Sequence, residues 1–185
     1  MTPITPSTAD RAGLSRTGLY RAAWAGGLTR VARGIYLPAD APAVDWGLVE
    51  AATRRSDATI CLTSALAHHD LTDAIPDTLD VAIPRGGRSP ATEHAITWHQ
   101  FDAATFDLGR DEIPIDGTDL SIGLYSPERC IADAFRLRGQ LGYETARDAL
   151  KEWLRRGGKP NTLMRIALQL PRAKTPLLHA LETLS

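Results

Sequence analysis

The residues most able to do chemistry in this 185-residue chain are two adjacent histidines, a scatter of acids, a glycine-rich basic loop and a set of arginines among hydroxyls near the start. His68 and His69 stand side by side in "AHHDL". Neighbours on a helix point about 100° apart and do not readily share a metal. His94, His99 and His179 add no ligand spacing, so at least one of the pair is expected to pack against a strand layer. Asp77, Asp80 and Glu93 could imitate a metal-dependent nuclease, but no ExK spacing follows them. "PRGGRSP", residues 84–90, lacks the Lys-Ser/Thr of a phosphate loop and no clear helix follows it, so it reads as a basic surface loop. Cys61 and Cys130 lie far apart in apolar surroundings with no CxxC spacing and read as buried, reduced thiols. No metal site, cofactor site or catalytic set is expected.

The arginines are different. "LSRTGLYRAAWAGG" is followed at once by "LTRVARGIYLP". Ser15, Arg16 and Thr17 would occupy the first turn of a short helix, with Tyr20 and Arg21 one turn on, and Arg30 and Arg33 would flank an Arg-Gly turn between two β-forming runs. In a winged helix-turn-helix, the second helix offers its N-terminal residues to base edges while the wing grips the backbone or minor groove. Arginine can read guanine with two hydrogen bonds, whereas Ser, Thr and Tyr more often hold phosphates. The seven residues Ser15, Arg16, Thr17, Tyr20, Arg21, Arg30 and Arg33 are therefore the candidate DNA-binding set. The plainer alternative is that Arg16 and Arg21 only solvate a small helix and that Tyr20 or Tyr36 is core.

Local signals support the elements that must position this set. "STADRAG" can open a short helix capped by Ser7 or Thr8 and stopped by Gly13. Ser15 caps the next helix, with Leu19, Ala22 and Ala23 on one face and Gly26-Gly27 as its end. A β-hairpin turning at Arg33-Gly34 follows and closes at Pro38. Residues 1–38 thus form one unit. Residues 39–44, "ADAPAV", are a linker, and residues 39–185 form the second unit.

In that second unit, residues 39–125 read as mixed α/β. Asp45 caps a helix bearing Trp46, Val49 and Ala52 or Thr53 at helical spacing. A strand from Thr59 to Leu62 enters a helix capped by Thr63 or Ser64. "DTLDVAIP", "AITWHQF", the run around "EIPIDG" and "TDLSIGLYS" supply further strands, the last two paired through Asp116-Gly117. Residues 126–185 read as helical. "SPERCIADAFRLRG" has Ser126 as cap, Pro127 in the first turn and Gly139 as its stop. "YETARDALKEWLRRGG" places Tyr143, Ala146, Leu150 and Trp153 or Leu154 on one stripe, and "NTLMRIALQL" and "TPLLHALETL" complete the set. The fold class expected is α+β: an N-terminal winged helix-turn-helix, then a mixed α/β domain ending in a helical segment.

The net charge of −1 hides strong segmentation. Residues 1–38 carry five Arg against one acid, residues 39–125 five basic against fifteen acidic residues, and residues 126–175 eleven basic against five acidic residues. A start that is basic by arginine alone, ahead of an acidic middle, fits a small nucleic-acid module joined to a body that does not bind nucleic acid all over. With 43% hydrophobic residues the chain can bury a proper core. No apolar run approaches the ~20 residues of a membrane helix, and "MTPITPSTAD" does not read as a signal peptide. A cytoplasmic protein with no membrane partner is expected.

Several stretches together carry a family resemblance: "GLSRTGLYRAAWAGGLTRVARGIYLP", "ICLTSALAHHDLTDAIPDTLDVAIPRGGRSP", "LYSPERCIADAFRLRGQLGYETARDALKEWLRR" and "LMRIALQLPRAKTPLLHALETL". In this order they resemble the AbiEi antitoxins, the repressor half of AbiE-type type IV toxin–antitoxin systems. The resemblance implies an N-terminal winged helix that binds inverted repeats in its own promoter DNA, and a C-terminal antitoxin domain that counters a cognate nucleotidyltransferase toxin. By position, Ser15 to Arg21 fall on the family's recognition helix and Arg30 to Arg33 on its wing, while residues 126–175 match the part credited with antitoxicity. No catalytic residue carries over, because the antitoxin is not the enzyme of the pair. One departure from the family's pattern is expected: with six residues ahead of the first helix in this sequence, the leading helix of a three-helix winged domain is expected to be short or absent. A stand-alone winged-helix regulator without a toxin partner would share these motifs.

Overall fold

The computed structural model describes residues 1–184. It is a mixed α+β fold with eight α-helices and two sheets among those residues. After a 3-10 turn at Ala9–Ala12 come α1 (Arg16–Trp24), β1 (Leu28–Ala32) and β2 (Ile35–Pro38). There follow α2 (Trp46–Arg54), β3 (Thr59–Ile60), α3 (Leu62–His68), β4 (Leu79–Pro84), β5 (Ile96–Phe101), β6 (Arg110–Pro114) and β7 (Ser121–Tyr125). The chain ends in α4 (Pro127–Arg136), α5 (Arg138–Leu141), α6 (Tyr143–Arg155), α7 (Pro160–Ala167) and α8 (Lys174–Leu184). None of the described helices is long and apolar enough to cross a membrane.

β1 and β2 form an antiparallel hairpin through Arg33-Gly34, where Gly34 takes φ +75, a left-handed conformation that costs glycine little. The register slips between Arg30 and Ala32. This bulge lets two successive residues, Val31 and Ala32, both turn inward and become buried. Backbone bonds between Ile4 and Tyr36 in both directions (2.8 and 2.9 Å) add a third extended segment beside β2.

The larger sheet has the order β5-β4-β3-β7-β6. β3 runs parallel to β7 and antiparallel to β4, β4 runs parallel to β5, and β6 closes the far edge antiparallel to β7. In β4 three residues in a row, Val81, Ala82 and Ile83, are buried, as expected of a strand covered on both faces. Gly123 of β7 is needed for a close approach: a Cβ there would lie 2.4 Å from Thr59 Oγ1 and 2.6 Å from Arg110 Nε. Those two atoms hydrogen-bond across it at 2.8 Å. α4 is the central helix, packed on α3, α6, α7 and α8. Its start is the one the sequence indicates, with the Arg129 N–H donating to Ser126 Oγ and Pro127 in the first turn.

The hairpin belongs to two cores. Val31, Ala32, Ile35 and Leu37 join the main core, against α2, while Tyr36 packs with Ala9 and Leu19 in a small core beneath α1. Alternation along β2 produces this division, because successive side chains leave on opposite faces.

Several sequence expectations are corrected. "STADRAG" forms only a 3-10 turn, which Thr8 does not cap because its Oγ1 accepts from the Thr5 N–H at 2.9 Å instead, although Gly13 ends it in a left-handed conformation. The strand at Thr59 stops at Ile60, since Leu62 turns to φ +46 and starts α3. Neither Thr63 nor Ser64 caps that helix: Cys61 occupies the cap position, and Ser64 Oγ is engaged elsewhere, accepting from the Asp80 N–H at 2.8 Å. In α2 the buried residues are Val49, Glu50 and Ala51, and Trp46 is half exposed. Gly139 lies inside α5 rather than ending α4, and the glycine that ends α5 is Gly142, at φ +88 with extended ψ. Tyr143 leaves the α6 stripe for the surface, and Ala149 joins Ala146, Leu150 and Trp153 inside.

Candidate nucleic-acid interface

α1 begins where Ser15 Oγ accepts a hydrogen bond from the Gly18 N–H at 3.0 Å, which satisfies one of the four free donors of a helix start. Leu19 is fully buried beneath the helix, and Ala22 and Ala23 are half buried. The outer face therefore carries Ser15, Arg16, Thr17, Tyr20, Arg21 and Trp24, all exposed. Tyr20 is held edge-on against Tyr36 with ring centroids 6.4 Å apart. Of the two tyrosines that could have been core, Tyr36 is buried and Tyr20 is not.

Arg16 and Tyr20, one turn apart, face a groove of about 1010 Å³ whose far wall is the hairpin turn with Arg30 and Arg33. Its floor includes Thr5, Ser7 and Thr8, and Arg54 of α2 joins the rim. No Asp or Glu lines it. The structure thus brings four of the seven candidate residues around one concave, cationic surface. Ser15, Thr17 and Arg21 do not line the groove and sit on the adjoining outer face of α1.

The hairpin turn is anchored by residues the sequence did not single out. Arg54 Nη2 donates to the Arg33 carbonyl at 2.9 Å and to Glu50 Oε1 at 3.2 Å. Glu50 is fully buried and also accepts from the Glu93 and His94 backbone N–H groups and from His94 Nδ1, the last at 2.8 Å. Burial alone would raise its pKa. The bonds from His94, Glu93 and Arg54 outweigh that and hold the carboxyl below the usual range. Because Glu50 fixes residues 93 and 94, Glu93 is placed to pair with Arg30, whose Nη2 lies 2.5 Å from its carboxylate. The candidate wing is thus tied to the α/β body at two points, Arg33 through Arg54 and Arg30 through Glu93. The acid spacing within "GLVEAATRR" gave no hint of a buried carboxylate, because its partners lie 43 and 44 residues further along the chain.

The other candidates fall elsewhere. His69 Nε2 donates to the Tyr125 carbonyl of β7 at 2.7 Å, and burial lowers its pKa, while His68 is exposed. Asp80 pairs with His99 across β4 and β5. Residues 84–90 form an exposed turn with Gly86 at φ +94. Cys61 and Cys130 are both free and buried, and burial pushes both thiols well up. Among the described residues no three His, Cys, Asp or Glu side chains are grouped to hold a metal ion.

No known family model matches the chain, and no curated protein matches it. Among solved structures it is similar to the RV2827C protein from Mycobacterium tuberculosis, with a TM-score of 0.51 and 15% identity over 98% of this chain and 90% of that one. That likeness is one of fold.

Proposed function

We propose that this chain is a DNA-binding antitoxin and autorepressor of the AbiEi kind, which represses its own operon and counteracts a nucleotidyltransferase toxin. In this reading residues 1–38 are a reduced winged helix-turn-helix. The 3-10 turn and α1 make the helix-turn-helix, β1 and β2 the wing, and the segment at Ile4 the third strand beside it. The observation that carries it is the continuous exposed surface of Ser15, Arg16, Thr17, Tyr20 and Arg21, next to a groove lined by Arg33 and by Arg30, the latter paired with Glu93. Such a surface suits a phosphate backbone, with arginine as the side chain able to read base edges.

The test is fluorescence anisotropy of the full chain on its own upstream DNA and on a scrambled fragment at physiological salt. Preference for the native fragment supports the reading, and equal affinity for both overturns it. In the variant with Arg16, Arg21, Arg30 and Arg33 all changed to Ala, the log-log salt slope should shrink by about 0.9 for each lost phosphate contact. The antitoxin half is tested by growth on co-expression with the neighbouring nucleotidyltransferase. Protection should vanish when residues from Ser126 onward are deleted. A full chain that binds its promoter yet leaves the enzyme toxic would instead be a stand-alone regulator.

A further inference from the structure

A second cationic groove, of about 820 Å³, lies in the helical part between the α4–α5 corner and the start of α8. Arg136, Arg138 and Arg172 line it with Tyr143, Thr175 and His179, and no Asp or Glu does. Arg136 is already committed, since its Nε meets Asp133 Oδ1 at 2.5 Å and its guanidinium lies over the Phe101 ring. Arg138 and Arg172 are not: among the described residues neither pairs with a carboxylate, and Arg138 spends one donor on the Phe135 carbonyl. Two exposed guanidinium groups without carboxylate partners line one groove, and both are available to an anion.

Two further observations narrow the ligand. Arg172 sits at φ +64, a conformation normally left to Gly or Asn. This turn places the Arg172 side chain at the rim of the groove. Tyr143, at the first position of α6, lines the groove, is half exposed and meets Phe135 edge-on, centroids 6.2 Å apart, which puts an aromatic ring on the groove wall. Guanidinium forks for phosphate oxygens beside an aromatic platform make a phosphate-plus-base pattern. The volume lies within the range of about 300–1,000 Å³ typical of small-ligand sites.

We infer that this groove binds a nucleoside di- or triphosphate, with Arg138 and Arg172 on the phosphates and Tyr143 against the base. It is separate from the α1 surface and does not depend on the DNA-binding reading.

The experiment is calorimetric titration of the full chain, in metal-free buffer, with ATP, inorganic tripolyphosphate and adenosine. ATP should bind, tripolyphosphate more weakly, and adenosine hardly at all. Arg172→Gly removes the guanidinium while suiting the left-handed backbone, so the fold is kept. It and Arg138→Ala should each weaken ATP and tripolyphosphate about tenfold or more, the size of one lost hydrogen bond to a charged group. Tyr143→Leu should weaken ATP alone. No ATP binding by the unaltered chain, or the same affinity in Arg172→Gly, overturns the assignment. So does a duplex DNA that displaces ATP and is itself weakened equally by Arg172→Gly, since the groove would then be part of a nucleic-acid surface.

Discussion

On the proposed DNA-binding surface, Arg30 is already engaged by the Glu93 carboxylate, and both side chains are about half exposed. Changing Glu93 to Gln keeps its shape and its backbone bond to Glu50, and releases Arg30. An exposed pair of this kind is worth about 0.2–1 kcal/mol, so freeing Arg30 should tighten DNA binding by about 1.4- to 5-fold. If the freed guanidinium then meets one more phosphate, the log-log salt slope grows by about 0.9. The assay is a four-membered cycle of the unaltered chain, Glu93→Gln, Arg30→Ala and the double variant, titrated onto upstream DNA by anisotropy. Near 0.15 M salt the screening length is about 8 Å, which suppresses the general effect of losing one negative charge. The gain from Glu93→Gln should therefore disappear when Arg30 is Ala. An equal gain in both backgrounds would show that Glu93 acts at a distance and that the ion pair does not limit Arg30.

Three further outcomes are expected. Ser15→Ala removes the α1 cap and should lower stability by about 1 kcal/mol, read as a fall in Tm, with weaker DNA binding if α1 is the reading helix. Glu50→Gln should cost on the order of 2–3 kcal/mol near neutral pH, since Arg54 and His94 lose a buried partner. Because Glu50 titrates below its ordinary 4.5 in the folded chain, its contribution is present above that pH and is lost as pH falls through the depressed value. Denaturant midpoints of the two proteins should thus converge in acid, and a gap that widens there would contradict the depressed pKa. Arg129→Ala should be the most damaging substitution, about 3–5 kcal/mol in urea melts. It leaves buried Asp133 with Arg136 as its one remaining ion-pair partner, and it removes the donor to the Thr105 and Leu108 carbonyls and a guanidinium 4.3 Å from the Tyr125 ring centroid.

What was legible in the sequence is what is decided locally. Ser15, Asp45 and Ser126 each cap the helix that follows them, and Gly34 and Gly117 turn the two hairpins, because cap and turn chemistry needs only three or four neighbouring residues. The exposed face of α1 was legible for the same reason: Leu19 marks the inside. Glu50 was not, because a carboxylate becomes a core residue only when distant backbone N–H groups are brought to it. Nor was the pairing of Arg30, which depends on where Glu93 lands. The expected stripe on α2 holds at Val49 and Ala52, but Trp46 turns outward, edge-on to His94 at 6.0 Å, and Glu50 and Ala51 join the inside. The short β3 could not be foreseen from "TICL", whose β-branched character conceals the reversal at Leu62.

The hairpin's membership of two cores has a mechanical consequence. α1 rests on one face of β2 and the five-stranded body on the other, so the shared strand, not the Ala/Pro segment at 39–44, sets the angle between them. Lengthening that segment should leave the orientation of α1 on the body unchanged.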